Sequence, residues 1–278
     1  PPLIMSAKNL CEDAGVFTAP THFFALGDGV FHPTESALSR WGADMLNGPA
    51  VVGLAARCLE NDYAAAGFHP ARFTADLFKA ARRIPTSVQV RQVRDGRRVR
   101  TAECDVIQAG AIVARATMVQ YRRSAPPPGA EWVAEQSFVA PAGVSGSVYL
   151  IGSDDAGWSP SGAEHQNLSR KRVYHRTLEV VDGEPASPFV RTVVAAEATS
   201  LVTNLGTEGI GYINGDLSTA LSRLPVGDYI GVQADSHWCA DGVSVGSATL
   251  FDDLGPFGIG MVTAVANPAA QIDFGAQP

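Results

Sequence analysis

An aspartate at the mouth of an apolar, strand-like run occurs twice, 140 positions apart: Asp76 in Phe73-Thr74-Ala75-Asp76-Leu77-Phe78 and Asp216 in Ile213-Asn214-Gly215-Asp216-Leu217-Ser218. Other landmarks keep nearly the same spacing. Asp95-Gly96 returns as Asp241-Gly242, Gly110 as Gly255, and Gly48-Pro49 as Ser187-Pro188, at offsets of 146, 145 and 139. A period that long is domain-sized, so the chain uses one unit twice and is not a solenoid. Its 278 residues hold two units of roughly 110–130 residues each. The boundaries follow from composition: a first unit over 1–123, a Pro-rich linker over 124–137 around Pro126-Pro127-Pro128, and a second unit over 138–278.

Within the first unit, aromatics and small residues up to Gly27-Asp28-Gly29 read as short strands and a turn. Asn47-Gly48-Pro49 then opens a helix. Asn47 or Gly48 caps it, Pro49 suits its first turn, and Val51, Leu54, Ala55, Cys58 and Leu59 recur at helical spacing. So much of this helix is apolar or small that it is expected to be largely buried, with Gly53 allowing close packing. From Arg72 the period changes to two. Strands at 88–93, 99–106 and 112–121, with turns at Asp95-Gly96 and Gly110, form an antiparallel meander. One helix and a meander that can wrap it make an α+β unit.

The second unit repeats the order. A strand is expected over 173–181, a helix from Ser187-Pro188 through Val190, Val193, Val194 and Glu197, and strands over 229–234, 243–251 and 259–266. Residues 154–171 have no counterpart in the first unit and read as a loop insertion.

Composition narrows the function. A net charge of −7 argues against a nucleic-acid surface. The basic stretch Arg94 to Arg100 reads as a hairpin turn with solvated flanks, with a phosphate patch as the alternative. No apolar run reaches the roughly 20 residues that span a bilayer, and Pro1 to Leu10 lacks an export pattern. Cys11, Cys58, Cys104 and Cys239 form no CxxC pair, which fits reduced thiols in a cytoplasm and gives no zinc spacing. The six histidines make no ligand cluster, so no metal is expected. Phosphate-loop, dinucleotide-binding and serine-elbow motifs are absent.

What remains is a carboxylate and a helix start. Free N–H groups at Asn47-Gly48-Pro49 suit an oxygen that gains negative charge, and a nearby Asp can deprotonate a water. Together they suffice for an activated ester such as a thioester. The structural alternative is that Asp76 and Asp216 merely cap or cross-link strand ends.

Gly48 to Glu60 (GPAVVGLAARCLE), Arg94 to Val99 (RDGRRV), the run Pro70-Ala71-Arg72-Phe73-Thr74-Ala75-Asp76-Leu77 and Asn214 to Pro225, in duplicate order, resemble the double-hotdog acyl-CoA thioesterases. The likeness is to the actinobacterial branch related to acyl-CoA thioesterase II and covers most of 20–122 and 160–267. It implies a tandem hotdog in which each sheet wraps one long helix, with acyl-CoA tunnels between the halves. It also implies hydrolysis of acyl-CoA to free acid and CoA, with no cofactor. The family's water is held by an Asp, a Thr and a Gln of the second half, facing the helix start of the first.

By position Asp216 matches the Asp and Ser236 offers the hydroxyl. Thr263 stands where the Gln is expected, so the carboxamide is missing there. Gly48 supplies the helix start, with Asn47, Pro49, Trp41 and Phe73 as substrate contacts. Phe23, Phe24 and Phe78 are further tunnel candidates, with core packing as their alternative. Asp76, with Gln120 and the Ser187 helix start, is the second-site candidate. The missing Gln motivates a different reading, a non-catalytic acyl-CoA binding protein. A hotdog hydratase ranks last, because no His closely follows either Asp. The expected partner is acyl-CoA, with no nucleic acid or membrane, and the tandem unit admits higher homo-oligomers.

Overall fold

A computed structural model describes residues 20–146 and 148–276. Cys11, the part of the short-strand stretch before residue 20 and the stretch read for an export pattern lie outside these residues. The first half contains β1 (Thr21–Ala25), β2 (Val30–Pro33), α1 (Gly48–Tyr63), β3 (Phe68–Leu77), β4 (Thr86–Asp95), β5 (Val99–Gln108) and β6 (Ala111–Arg122). The second half opens with β7 (Tyr149–Ser153), β8 (Trp158–Ser159), β9 (Lys171–His175) and β10 (Glu179–Val181). It continues with α2 (Pro188–Ala196), α3 (Thr199–Asn204), β11 (Leu205–Gly206), β12 (Gly209–Ile210) and β13 (Tyr212–Asn214). β14 (Asp216–Leu221), β15 (Ile230–Ala240), β16 (Val243–Asp252) and β17 (Gly255–Ala266) complete it. Among the described residues, 123–148 carry no helix or strand.

The helix starts follow the sequence. Asn47 Oδ1 accepts the Ala50 N–H at 2.9 Å, and Ser187 Oγ accepts the Val190 N–H at 3.1 Å. Each uses a cap to satisfy a donor that the first turn leaves free. α1 buries Val51, Leu54, Ala55, Cys58 and Leu59, as its spacing requires. Asp95-Gly96 and Gly110 turn the meander. The basic stretch sits on the β4–β5 hairpin, where Arg100 pairs with Asp95 at 2.7 Å and covers the Phe68 ring.

Two expectations are corrected. The strand expected over 173–181 is two strands: β9 pairs with β15, whereas β10 runs parallel to β1 of the first half. The helix expected to run through Glu197 stops at Ala196 and resumes at Thr199. The interruption leaves Glu197 as the last residue of the α2 turn, not as a point on a helix face.

The two meanders join edge to edge. β3 pairs antiparallel with β14, and one sheet runs β10-β1-β2-β4-β5-β6-β3-β14-β17-β16-β15-β9-β7-β8. In that seam Asp76 and Asp216 are direct partners. α1 and α2 lie against each other over a core shared by both halves, with Phe73, Leu54, Phe189 and Phe257 essentially inaccessible. Gly53 makes the approach possible, because a Cβ there would come within 2.8 Å of Val194 Cγ2. Among the described residues no helix is long and apolar enough to cross a membrane.

Candidate active site

The two helices run in opposite directions, so the last turn of each meets the first turn of the other. At one meeting point α2 delivers Glu197 to the start of α1. The approach is so close that a Cβ on Gly48 would overlap the Glu197 carboxyl. Asn214, on β13, directs its Nδ2 at Glu197 Oε1 across a long 3.4 Å. A cavity of about 630 Å³ opens here, bounded by Asn47, Gly48, Pro49, Trp41, Glu197 and Asn214, among others.

Glu197 is half-buried by surface area, and it lines this cavity. Protein otherwise surrounds the carboxyl. Loss of hydration pushes it up to about 8, and the Asn214 hydrogen bond pulls weakly the other way. The positive end of α1 also favours the charged form. A carboxyl balanced in this way exchanges its proton near neutral pH, as a general base must.

The helix start offers one backbone donor. Pro49 has no N–H, and the Ala50 N–H is held by Asn47. The Gly48 N–H makes no hydrogen bond to a described residue and stands beside the carboxyl. Asn47 is fixed in turn, donating Nδ2 to Ser36 O at 3.0 Å and to Leu38 O at 3.2 Å. Two cations, Arg40 and Lys79, border the cavity. Their neighbours Arg82 and Arg83 are paired with Asp44 and Glu35, but Arg40 and Lys79 join no ion pair among the described residues.

Of the residues singled out from sequence, Gly48, Asn47, Pro49, Trp41 and Phe78 line this cavity, and Asp216, Ser236, Thr263 and Phe73 do not. Asp216 is occupied at the seam, where its carboxylate accepts the Thr263 N–H at 2.9 Å and the Thr263 hydroxyl. Ser236 shares a hydrogen bond with Ser247 at 2.7 Å. It borders a separate cavity of about 710 Å³ that has only Tyr212 in common with the first. Phe73 is core, packed edge-on against Phe189 at 6.2 Å. Phe23 is also core, and Phe24 stacks on His32.

The second-site residues are not brought together either. Asp76 is exposed and pairs across β6 with Arg115, whereas Gln120 lies opposite Pro70. Gln120 donates to Tyr63 O at 2.7 Å. The other helix junction instead pairs Glu60, on α1, with Ser187, at 2.5 Å. Burial raises the Glu60 carboxyl, and the Ser187 hydroxyl partly offsets the rise. Neither residue lines the 280, 630 or 710 Å³ cavity.

Sequence reasoning placed Glu197 on a helix and gave it no role. Its signal is present: it is the only carboxylate between Phe189 and Tyr212 apart from Glu208, set in the apolar run Val193-Val194-Ala195-Ala196.

A continuous sheet wrapped over two opposed helices, with a carboxyl and a helix start at their junction, defines a double-hotdog protein. Residues 37–121 match the acyl-CoA thioesterase N-terminal domain, and residues 122–261 match the acyl-CoA thioesterase C-terminal domain. The chain therefore belongs to the acyl-CoA thioesterase family.

Solved structures share the fold. Acyl-CoA thioesterase II TesB2 from Mycobacterium marinum superposes with a TM-score of 0.63 at 14% identity, over 88% of this chain and 95% of that one. A tesB protein from Mycobacterium avium subs paratuberculosis gives 0.62 at 14% identity, over 88% and 96%. A hot dog fold protein from Alicyclobacillus acidocaldarius gives 0.63 at 13% identity, over 87% and 95%. No curated protein matches the sequence significantly.

Proposed function

We infer that this thioesterase hydrolyses acyl-CoA at the Glu197–Gly48 junction, with Glu197 as general base. The observation that carries the reading is the coincidence, on one cavity wall, of a carboxyl pushed up to about 8 and a free helix-start N–H. The thioester carbonyl oxygen sits at the Gly48 N–H. Glu197 takes a proton from a water as its oxygen forms a bond to the carbonyl carbon, and the negative charge that develops on the carbonyl oxygen is held by that N–H. Collapse breaks the C–S bond, and the proton on Glu197 passes to the departing CoA sulfur. Every group in this sequence is a protein group or water, so it calls for no cofactor.

Asn214 supports the base. Its amide donates to Glu197 and leaves its carbonyl oxygen to orient the water. The carboxamide missing at Thr263 is thus provided from β13, which removes the motive for a binding-only reading. Lys79 offers positive charge at the cavity for the CoA phosphates.

The test follows CoA thiol release from acyl-CoA substrates by wild type, Glu197→Gln and Asp216→Asn. The expected result is a loss of roughly 10²–10⁴-fold in kcat for Glu197→Gln and near-normal turnover for Asp216→Asn. The reverse order would return the role to the seam. Release from no substrate by a folded wild type would overturn the hydrolytic mechanism.

A further inference from the structure

Two parts of the chain have no counterpart in the first half, and they meet at Phe274, which lines the Glu197 cavity. One is the insertion at 154–171. The other follows β17. After β6 the chain leaves for the linker, but after β17 it turns back across the second half.

Ile272 exchanges both backbone hydrogen bonds with Ile210, each at 2.9 Å. Gly209 makes room for this contact: it has a φ of +91°, and any Cβ on it would overlap the Ile272 carbonyl. Gln166, from the insertion, clamps the next two residues. Its Oε1 accepts the Phe274 N–H at 2.7 Å, and its Nε2 donates to Asp273 Oδ1 at 3.0 Å. The Phe274 ring lies against Gly162, where a Cβ would come within 2.6 Å of it, and the Arg40 guanidinium covers it at 5.0 Å. Ile272 and Phe274 both line the cavity that contains Glu197.

We propose that Ile272 and Phe274, fixed by Gln166, form the wall that sets the largest acyl group this enzyme accepts. The inference rests on the acyl cavity being the one at Glu197. The side chains are apolar, they belong to no catalytic step, and their backbone is pinned at both ends. A pinned wall cannot yield to a longer chain, and a single methylene in an apolar pocket is worth roughly 10- to 200-fold in kcat/KM.

The experiment measures kcat/KM on the full chain for saturated acyl-CoA thioesters from butyryl to palmitoyl. It compares wild type with Phe274→Ala, Ile272→Ala and Gln166→Ala, and with Leu168→Ala as a control on the same insertion. The first two variants are expected to move the optimum to longer chains, by about tenfold or more in the ratio of longest to shortest substrate. Gln166→Ala is expected to broaden the profile, and Leu168→Ala to leave it unchanged. A folded Phe274→Ala and Ile272→Ala with the wild-type profile, or with equal loss on every substrate, would overturn the proposal. A wild type that hydrolyses nothing would instead sink the mechanism above. The wall is then read by calorimetry with non-hydrolysable acyl-CoA thioethers of the same lengths, where an unchanged length preference in the variants would overturn it.

Discussion

Asp76 and Asp216 face each other as direct partners on adjacent antiparallel strands. Paired positions in this seam add to 292, and the repeat offset is 140, so position 76 is the one that pairs with its own copy. The duplication axis runs between these two carboxylates. Like charges directly opposite destabilise a sheet, and each is relieved separately. Asp216 is held by Thr263, and Asp76 is exposed beside Arg115.

With Glu197 as the base, the repeated aspartates are expected to act at the seam and not in catalysis. Asp216→Ala is expected to lower stability by about 1–2 kcal/mol through the lost Thr263 bonds, with kcat/KM nearly unchanged. Asp76→Asn removes one of two facing charges and is expected to be neutral or stabilising by a few tenths of a kcal/mol. Denaturant titration beside a turnover assay checks both, and a collapse of turnover with stability intact would refute the assignment.

The pH dependence follows from Glu197. Its base form is the carboxylate, so kcat/KM is expected to rise with pH around an apparent value of about 8. Stability has the opposite sign. The native carboxyl holds its proton to about 8 and the unfolded one only to about 4.5, so the native state binds more protons between these values. Stability therefore falls as pH rises through that window. Thermal melts across the range should show this decline, and Glu197→Gln should flatten it.

Gly48→Ala tests the close approach. Alanine is the better helix former, yet its methyl would overlap the Glu197 carboxyl. Turnover is expected to fall about 100-fold or more as base and N–H donor are forced apart. Ser187→Ala, at the equivalent start of α2, is expected to lose the cap and the bond to Glu60, about 1–3 kcal/mol together, and to leave turnover alone. Equal effects of the two changes on rate would mean that both junctions are active.

Asn214→Ala removes the hydrogen bond that favours ionised Glu197. The midpoint of the pH–rate profile should move to higher pH, with kcat reduced. Asn214→Asp should move it further, because a second carboxylate beside the first opposes ionisation. A fall in rate with an unmoved midpoint would assign Asn214 a role remote from the base.

The fold was largely legible because duplication doubles every signal. Both helix starts carry a Pro after a capping residue, and both meanders turn at Asp-Gly. The helix start of the candidate site was legible too, but its carboxylate was not, for the same reason. A repeat marks what the halves share, which at Asp76 and Asp216 is the seam. The candidate active site lies where they differ, in Gly48 against Ser187 and in a helix that breaks before Glu197. No proline or glycine announces that break, so helical periodicity ran straight through it. Asn214 escaped notice because it stands two residues from a more conspicuous Asp, and its relevance depends on which strand edge turns toward α2.

Among the described residues, 123–148 add no strand to the sheet, and the halves are already zipped together along β3 and β14. The peptide joining them therefore governs stoichiometry more than architecture. It guarantees each first half a second half at high local concentration, where two free copies would pair with themselves. That guarantee is what permits divergence: one junction can keep the glycine and gain a wall while the other closes over a serine, because no protomer has to serve as both.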